Sequence, residues 1–151
     1  EMYTPGNILY FKPFVFPNGD LPKNKYFIIL QTIGSNVLIA SLPTSKDFIP
    51  HLVQKKHGCI DVPQYQVNCY CFQPGKIVTK NNFSFPVETF VYGYQVDQFD
   101  KTKFDSLYVV DGVDYEIIGE LKKDEYLSLI NCIKNSASVS RKIRRWLGEK
   151  I

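Results

Sequence analysis

Tyr26-Phe27-Ile28-Ile29-Leu30 is a run of five apolar residues without a polar alternate. A strand with one wet face alternates, so a run with no polar face belongs to a central strand covered on both sides. The segment therefore demands a sheet with packed material on each face. The rest of the chain suits that demand: aromatics make up 15% of the 151 residues, and together with Val and Ile they favour pleated strands over long helices.

Further strand candidates are short and separated by turn signals. Ile8-Leu9-Tyr10-Phe11-Lys12-Pro13-Phe14-Val15-Phe16 is almost continuously apolar, with Pro13 marking an edge or a bulge, and Pro17-Asn18-Gly19-Asp20 turns after it. Gly34-Ser35-Asn36 turns the central strand into Val37-Leu38-Ile39-Ala40, a hairpin. The polar stretch from Pro43 to Pro63 is too long for a tight turn and reads as a loop or a short helix. Strands resume at Tyr65 to Phe72, Thr89 to Val96 and Tyr115 to Leu121. Six short strands with little helix between them imply a small barrel or sandwich.

The last thirty residues change character. Leu127, Ile130, Cys132 or Ile133, and Lys134 recur near helical spacing after Lys123-Asp124-Glu125, whose carboxylates suit a helix N-terminus. Ser138 or Ser140 could cap a second helix with Ile143, Trp146 and Leu147 on its apolar edge. This end is also basic. The net charge of +3 conceals six cations against Glu149 alone in residues 134–151, a local +5 that leaves −2 for the remainder. Arg141, Lys142, Arg144 and Arg145 could approach phosphates or simply keep one helix face solvated.

No stretch reaches the roughly 18 apolar residues a membrane helix needs, and the first 30 residues lack a basic segment followed by an apolar one. A protein with no membrane association is expected, with Met2 as the natural start and Glu1 as the scar of a tag. The four cysteines do not announce a disulfide framework, and a reducing cytoplasm is the simpler setting. His57, Cys59, Cys69 and Cys71 supply four soft ligands, yet Cys-x-Cys is not the common zinc knuckle, and buried thiols are ordinary strand residues. His51 and His57 are the only imidazoles, able to donate and accept protons near neutral pH or merely to sit solvated in a loop. Tyr65, Tyr70, Phe72, Phe90, Tyr92 and Tyr94 would stack bases if exposed and would build the core if buried.

The order of these features resembles the PemK/MazF family, toxins of bacterial toxin–antitoxin pairs. Pro5-Gly6-Asn7-Ile8 is similar to the family's opening Pro-Gly-Asp/Glu-Ile strand, and Lys23-Asn24-Lys25 before Tyr26-Phe27-Ile28-Ile29 resembles its Lys-x-Arg-Pro loop and apolar strand. Leu42-Pro43-Thr44-Ser45 is similar to the Pro-x-Thr-Ser motif, Gln95-Val96 to a Gln-Val pair, and Gly119 to Leu127 to the Gly-x-Leu-Ser-x-Glu-x-Leu approach to the last helix. Two positions depart from the pattern. Lys25 replaces the loop arginine, and Tyr92-Gly93-Tyr94 stands where one branch has Arg-x-Asp.

The resemblance implies one mainly β domain over residues 2–151, an SH3-like small barrel at about 5–121 with one or two C-terminal helices at about 122–148. It implies a cytoplasmic toxin that cleaves single-stranded RNA through its own 2′-hydroxyl, with no metal and no cofactor, as a homodimer neutralised by a small antitoxin. Mapped onto this chain, Lys25, Thr44, Ser45, His51 and His57 become the catalytic candidates. Lys46, Tyr92, Tyr94 and Gln95 become the substrate-binding ones. The alternative is a catalytically inactive SH3-like barrel that binds nucleic acid or a protein partner.

Overall fold

The computed structural model describes residues 1–16, 18–42 and 53–148. Along them run β1 (Asn7–Phe14), β2 (Lys23–Ile33), β3 (Asn36–Leu42), β4 (Gly58–Val62), β5 (Val67–Phe72), β6 (Thr89–Tyr92), β7 (Val96–Asp100), α1 (Lys101–Leu107), β8 (Tyr115–Glu120), α2 (Lys123–Lys134) and α3 (Arg141–Gly148). The described strands pair antiparallel in a five-stranded sheet of order β7-β3-β2-β1-β8 and a three-stranded sheet of order β4-β5-β6. The fold is thus mainly β with helices added, and among the described residues the sheets do not close into one barrel.

β2 lies at the centre of the larger sheet, as its unbroken apolar run requires. Ile28 and Leu30 face one core, shared with Leu38 and Ala40 of β3, Phe72 of β5, and Leu129 and Ile133 of α2. Phe27 and Ile29 face the other, shared with Leu9 and Phe11 of β1, Ile39 of β3 and Phe104 of α1. Each of these side chains other than Ala40 contributes roughly 1.5–3 kcal/mol through burial. Period-two alternation divides one strand between two cores.

The local signals act as expected in several places. Register between β1 and β2 shifts between Phe11 and Phe14, so Pro13, which has no N–H to offer the ladder, sits in an irregularity. Ile33 faces Asn36 across the β2–β3 hairpin, and Gly34 takes φ +57° in its turn. Ser140 Oγ accepts from Ile143 N at 3.3 Å at the start of α3, whose Ile143 and Leu147 are buried.

Three expectations need correction. Gly58–Val62 is a strand rather than part of a loop or short helix: it pairs residue for residue with β5, and only Ile60 is buried, so it leaves no apolar run. The expected strand from Thr89 to Val96 is broken by a 3-10 turn at Gly93–Gln95, which carries the chain from the small sheet (β6) to the edge of the large one (β7). In α2, Leu127 is exposed, while Glu125 is buried alongside Leu129, Ile130, Cys132 and Ile133. Helix α1 was not anticipated at all. It buries Phe104 alone and so shows no periodicity, but Asp100 caps it by accepting from Thr102 N at 2.8 Å.

Among the described residues, no helix is long and apolar enough to cross a membrane. Burial of tyrosines gives the fold a definite alkaline limit. Tyr3, Tyr26, Tyr70, Tyr108, Tyr115 and Tyr126 all have phenols pushed above their ordinary value, with desolvation the leading cause each time. Above a pH of about 10 the unfolded chain loses these protons first, so stability present below that pH falls as pH rises through it. A phenolate absorbance titration beside a denaturation series is expected to show these six of the ten tyrosines ionising late, together with unfolding. Reversible ionisation of all ten in the folded state would contradict this.

Candidate functional site

Two cavities hold residues singled out from the sequence. The first lies where β1, β2, β3 and β7 meet, with a volume of ≈ 240 Å³ and walls that include Phe14, Phe16, Asn18, Ser41, Gln95 and Asp97. Lys23 and Lys25, at the start of β2, hold their ammonium groups 5.8 and 5.6 Å from the centre of the Phe16 ring. Burial, and then repulsion from Lys23, pushes the Lys25 amine below the usual lysine value. Gln95 Nε2 donates to Tyr94 Oη at 3.4 Å, while Gln95 Oε1 is buried with no hydrogen-bond partner among the described residues. An acceptor in that condition costs about 1–3 kcal/mol unless a donor meets it.

The second cavity, ≈ 570 Å³, lies between β4, β5 and the first turns of α2. His57, Cys59, Tyr70, Lys76, Glu125 and Ser128 are among its walls. Glu125 Oε2 accepts from Tyr70 Oη and, at 2.8 Å, from His57 Nε2. The backbone N–H of Gln73 donates to His57 Nδ1 at 3.1 Å, which fixes Nδ1 as acceptor and Nε2 as the nitrogen bearing hydrogen. Burial and the hydrogen bond to Glu125 raise the Tyr70 phenol well above its ordinary value.

A disulfide, Cys59–Cys132, closes one side of this cavity and ties β4 to α2 across 73 residues of sequence. Cys69 and Cys71 are buried thiols on one face of β5, packed with Ile60, Phe90 and Tyr92. The four-ligand reading of His57, Cys59, Cys69 and Cys71 thus finds Cys59 bonded elsewhere. Among the described residues, no group of three or more His, Cys, Asp or Glu side chains is arranged to hold a metal ion.

The residues singled out from the sequence are distributed between these places. Lys25 and Gln95 meet the first cavity, Lys25 through Phe16, with Tyr94 exposed at its rim beside Gln95. Tyr92 is 3% exposed and belongs to the cluster under β5, which corrects the expectation that it offers a face to substrate. His57 stands in the second cavity with both ring nitrogens engaged. Thr44, Ser45, Lys46 and His51 lie outside the described residues. Leu42, the last residue described before them, pairs with Tyr26, the residue that follows Lys25.

Sequence reasoning passed over Asn18 and Asp97 in the first cavity and, in the second, the pairing of Glu125 with Tyr70, which it names only as a stacking or core ring. Asp97 stands two residues after Gln95, a spacing that favours one side of an extended segment. Glu125 suits the dipole at a helix start, and nothing local signals that a carboxylate there will be buried. No family model matches the chain, and no curated protein sequence matches it.

Proposed function

We propose that the protein is an RNA-acting toxin of the PemK/MazF kind, a metal-independent endoribonuclease that seats single-stranded RNA in the cleft between β1, β2 and β7. The observation that carries this reading is a cavity walled by aromatic rings, two amides and a carboxylate, with the ammonium groups of Lys23 and Lys25 against its Phe16 ring. Phe16 offers a ring on which a base stacks, Lys23 and Lys25 draw in the phosphodiester, and the orphaned Gln95 Oε1 accepts from a base N–H. With its amine held below the ordinary value, Lys25 releases a proton more readily than a solvated lysine does. Attack of the 2′-oxygen forms its bond to phosphorus as the bond to the 5′-oxygen breaks. Asp97 takes the hydroxyl proton and Lys25 protonates the leaving oxygen. The antitoxin on this reading is a small acidic protein that fills the same groove, the toxin is a homodimer, and its setting is the cytoplasm. The SH3-like assignment of the sheets belongs to this reading as well, supported by the antiparallel β1-β2-β3 order and the helices after β8.

Mixed single-stranded RNA incubated with the purified chain and a chelator is expected to give discrete fragments ending in cyclic phosphate. Lys25→Ala should slow their appearance by at least roughly tenfold, the loss of about 1.4 kcal/mol of transition-state stabilisation. Undiminished cleavage by that variant would remove the assigned role of Lys25, and RNA left intact by the wild-type protein would remove the enzyme.

A second reading has its own support. His57 is locked, and Tyr92-Gly93-Tyr94 lacks the arginine and aspartate that serve as the usual acid and base at its position. A catalytically inactive module would bind RNA in the same cleft without cutting it. Intact RNA together with binding that weakens steeply as salt rises would favour this alternative.

A further inference from the structure

We propose that the Cys59–Cys132 disulfide is a thiol–disulfide exchange site, attacked at Cys59 by thiols that enter the cavity beside His57 and Glu125. The two sulfurs sit in unlike surroundings. Cys59 is an exposed residue lining two cavities, of ≈ 570 and ≈ 430 Å³, whereas Cys132 lines the first of these but not the second and is 6% exposed. Lys76 stands in the wall of one cavity and Lys56 in that of the other, ammonium groups that favour an approaching thiolate. Carboxylates share both walls, Asp124 and Glu125 in the first and Asp61 in the second, so the field selects a thiol of modest negative charge rather than a polyanion.

The buried sulfur already has a thiol's surroundings. Cys132 Sγ lies 3.4 Å from the carbonyl oxygen of Cys69, and Asn68 Nδ2 stands 3.8 Å from the same sulfur. Exchange therefore has a direction. An incoming thiolate forms a bond to Cys59 Sγ as the Sγ–Sγ bond breaks, and the electron pair leaves on Cys132 Sγ. That thiolate takes a proton from water and then donates to the Cys69 carbonyl. A second thiol of the reductant attacks the mixed disulfide at the reductant's own sulfur, which frees Cys59 as thiolate and leaves the reductant as a disulfide. Two electrons and two protons pass from a dithiol, or from two monothiols, to the protein. Opening the bond severs the covalent tie between β4 and α2.

The experiment exposes the folded 151-residue chain to two probes in native buffer. One is reduced glutathione; the other is a thioredoxin-type dithiol protein whose resolving cysteine is replaced by serine so that the mixed disulfide is trapped. Peptide mapping is expected to place the adduct on Cys59, and the arm that yields it identifies a small or a protein thiol as the source. After reduction, alkylation of Cys59 should run roughly tenfold or more faster than that of Cys132. With glutathione disulfide supplied as the oxidant, the Cys132→Ser chain should accumulate a mixed disulfide on Cys59 with release of one glutathione thiolate, and the Cys59→Ser chain should form none, although the wild-type mapping decides the question without either variant. An adduct on Cys132, Cys69 or Cys71 would overturn the proposal. So would a bond that resists both probes until denaturant is added, or a reduced chain that glutathione disulfide fails to close.

Discussion

Replacing Glu125 with alanine is expected to lower the stability of the fold by roughly 2–4 kcal/mol, a fall in Tm of roughly 5–15 °C for a chain of this size. One oxygen, Oε2, accepts from both Tyr70 and His57, and Tyr70 is 2% exposed. Its removal strands a buried phenol O–H and an imidazole N–H together. His57 cannot turn to another partner without giving up the bond that Nδ1 receives from Gln73. Water from the adjoining cavity can replace part of what is lost, which sets the lower end of the range.

Glu125→Gln makes the prediction specific. A glutamine can place its amide oxygen where Oε2 now stands and accept the same two hydrogens, so it forfeits charge but not geometry. It is expected to cost about 1 kcal/mol or less. Thermal unfolding of the three proteins at neutral pH checks the order wild type, Gln, Ala. Equal losses in the two variants would mean that the negative charge at the start of α2, and not the shared acceptor, holds this corner.

The contrast between Glu125 and Ile28 shows what a sequence reveals here. Ile28 announces its place because burial on both faces of a central strand leaves an unbroken apolar run, and the centre of the large sheet followed from that run alone. Pro13, Gly34 and Ser140 were legible for a similar reason, since each acts through its own backbone or that of a near neighbour. The missed features depend on partners far away in sequence. β4 exists because β5 lies alongside it, and Glu125 is buried because residues 55 and 68 positions away, Tyr70 and His57, donate to it. Cys59 and Cys132 form no motif, and only the packing of α2 on β4 brings them together. Of the candidate site, Lys25 and Gln95 could be named in advance by resemblance, whereas Asn18 and Asp97 reach the same cleft only through the pairing of β7 with β3 and the approach of the turn after β1.

Gly93→Ala is the second substitution with a large expected effect, about 2–3 kcal/mol of destabilisation and a Tm lower by roughly 4–12 °C. Gly93 begins the turn that passes the chain from β6 to β7. Its φ is not left-handed, so conformational freedom is not the reason for glycine here; space is. A Cβ at this point would fall inside contact distance of Asn68 Oδ1 and 2.6 Å from Val139 Cγ2. Neither neighbour can step aside. Val139 is 3% exposed, and Asn68 is pinned by donating to the Cys132 carbonyl at 3.0 Å and to Asp61 Oδ1 at 3.2 Å. The middle residue of Tyr92-Gly93-Tyr94 is therefore set by packing against β5 and the α2–α3 loop. A double-mutant cycle with Asn68→Ala isolates the clash: with the Asn68 amide gone, adding the methyl at 93 should cost at least about 1 kcal/mol less than it does in the wild type. Strict additivity of the two substitutions would show that Asn68 does not crowd Gly93.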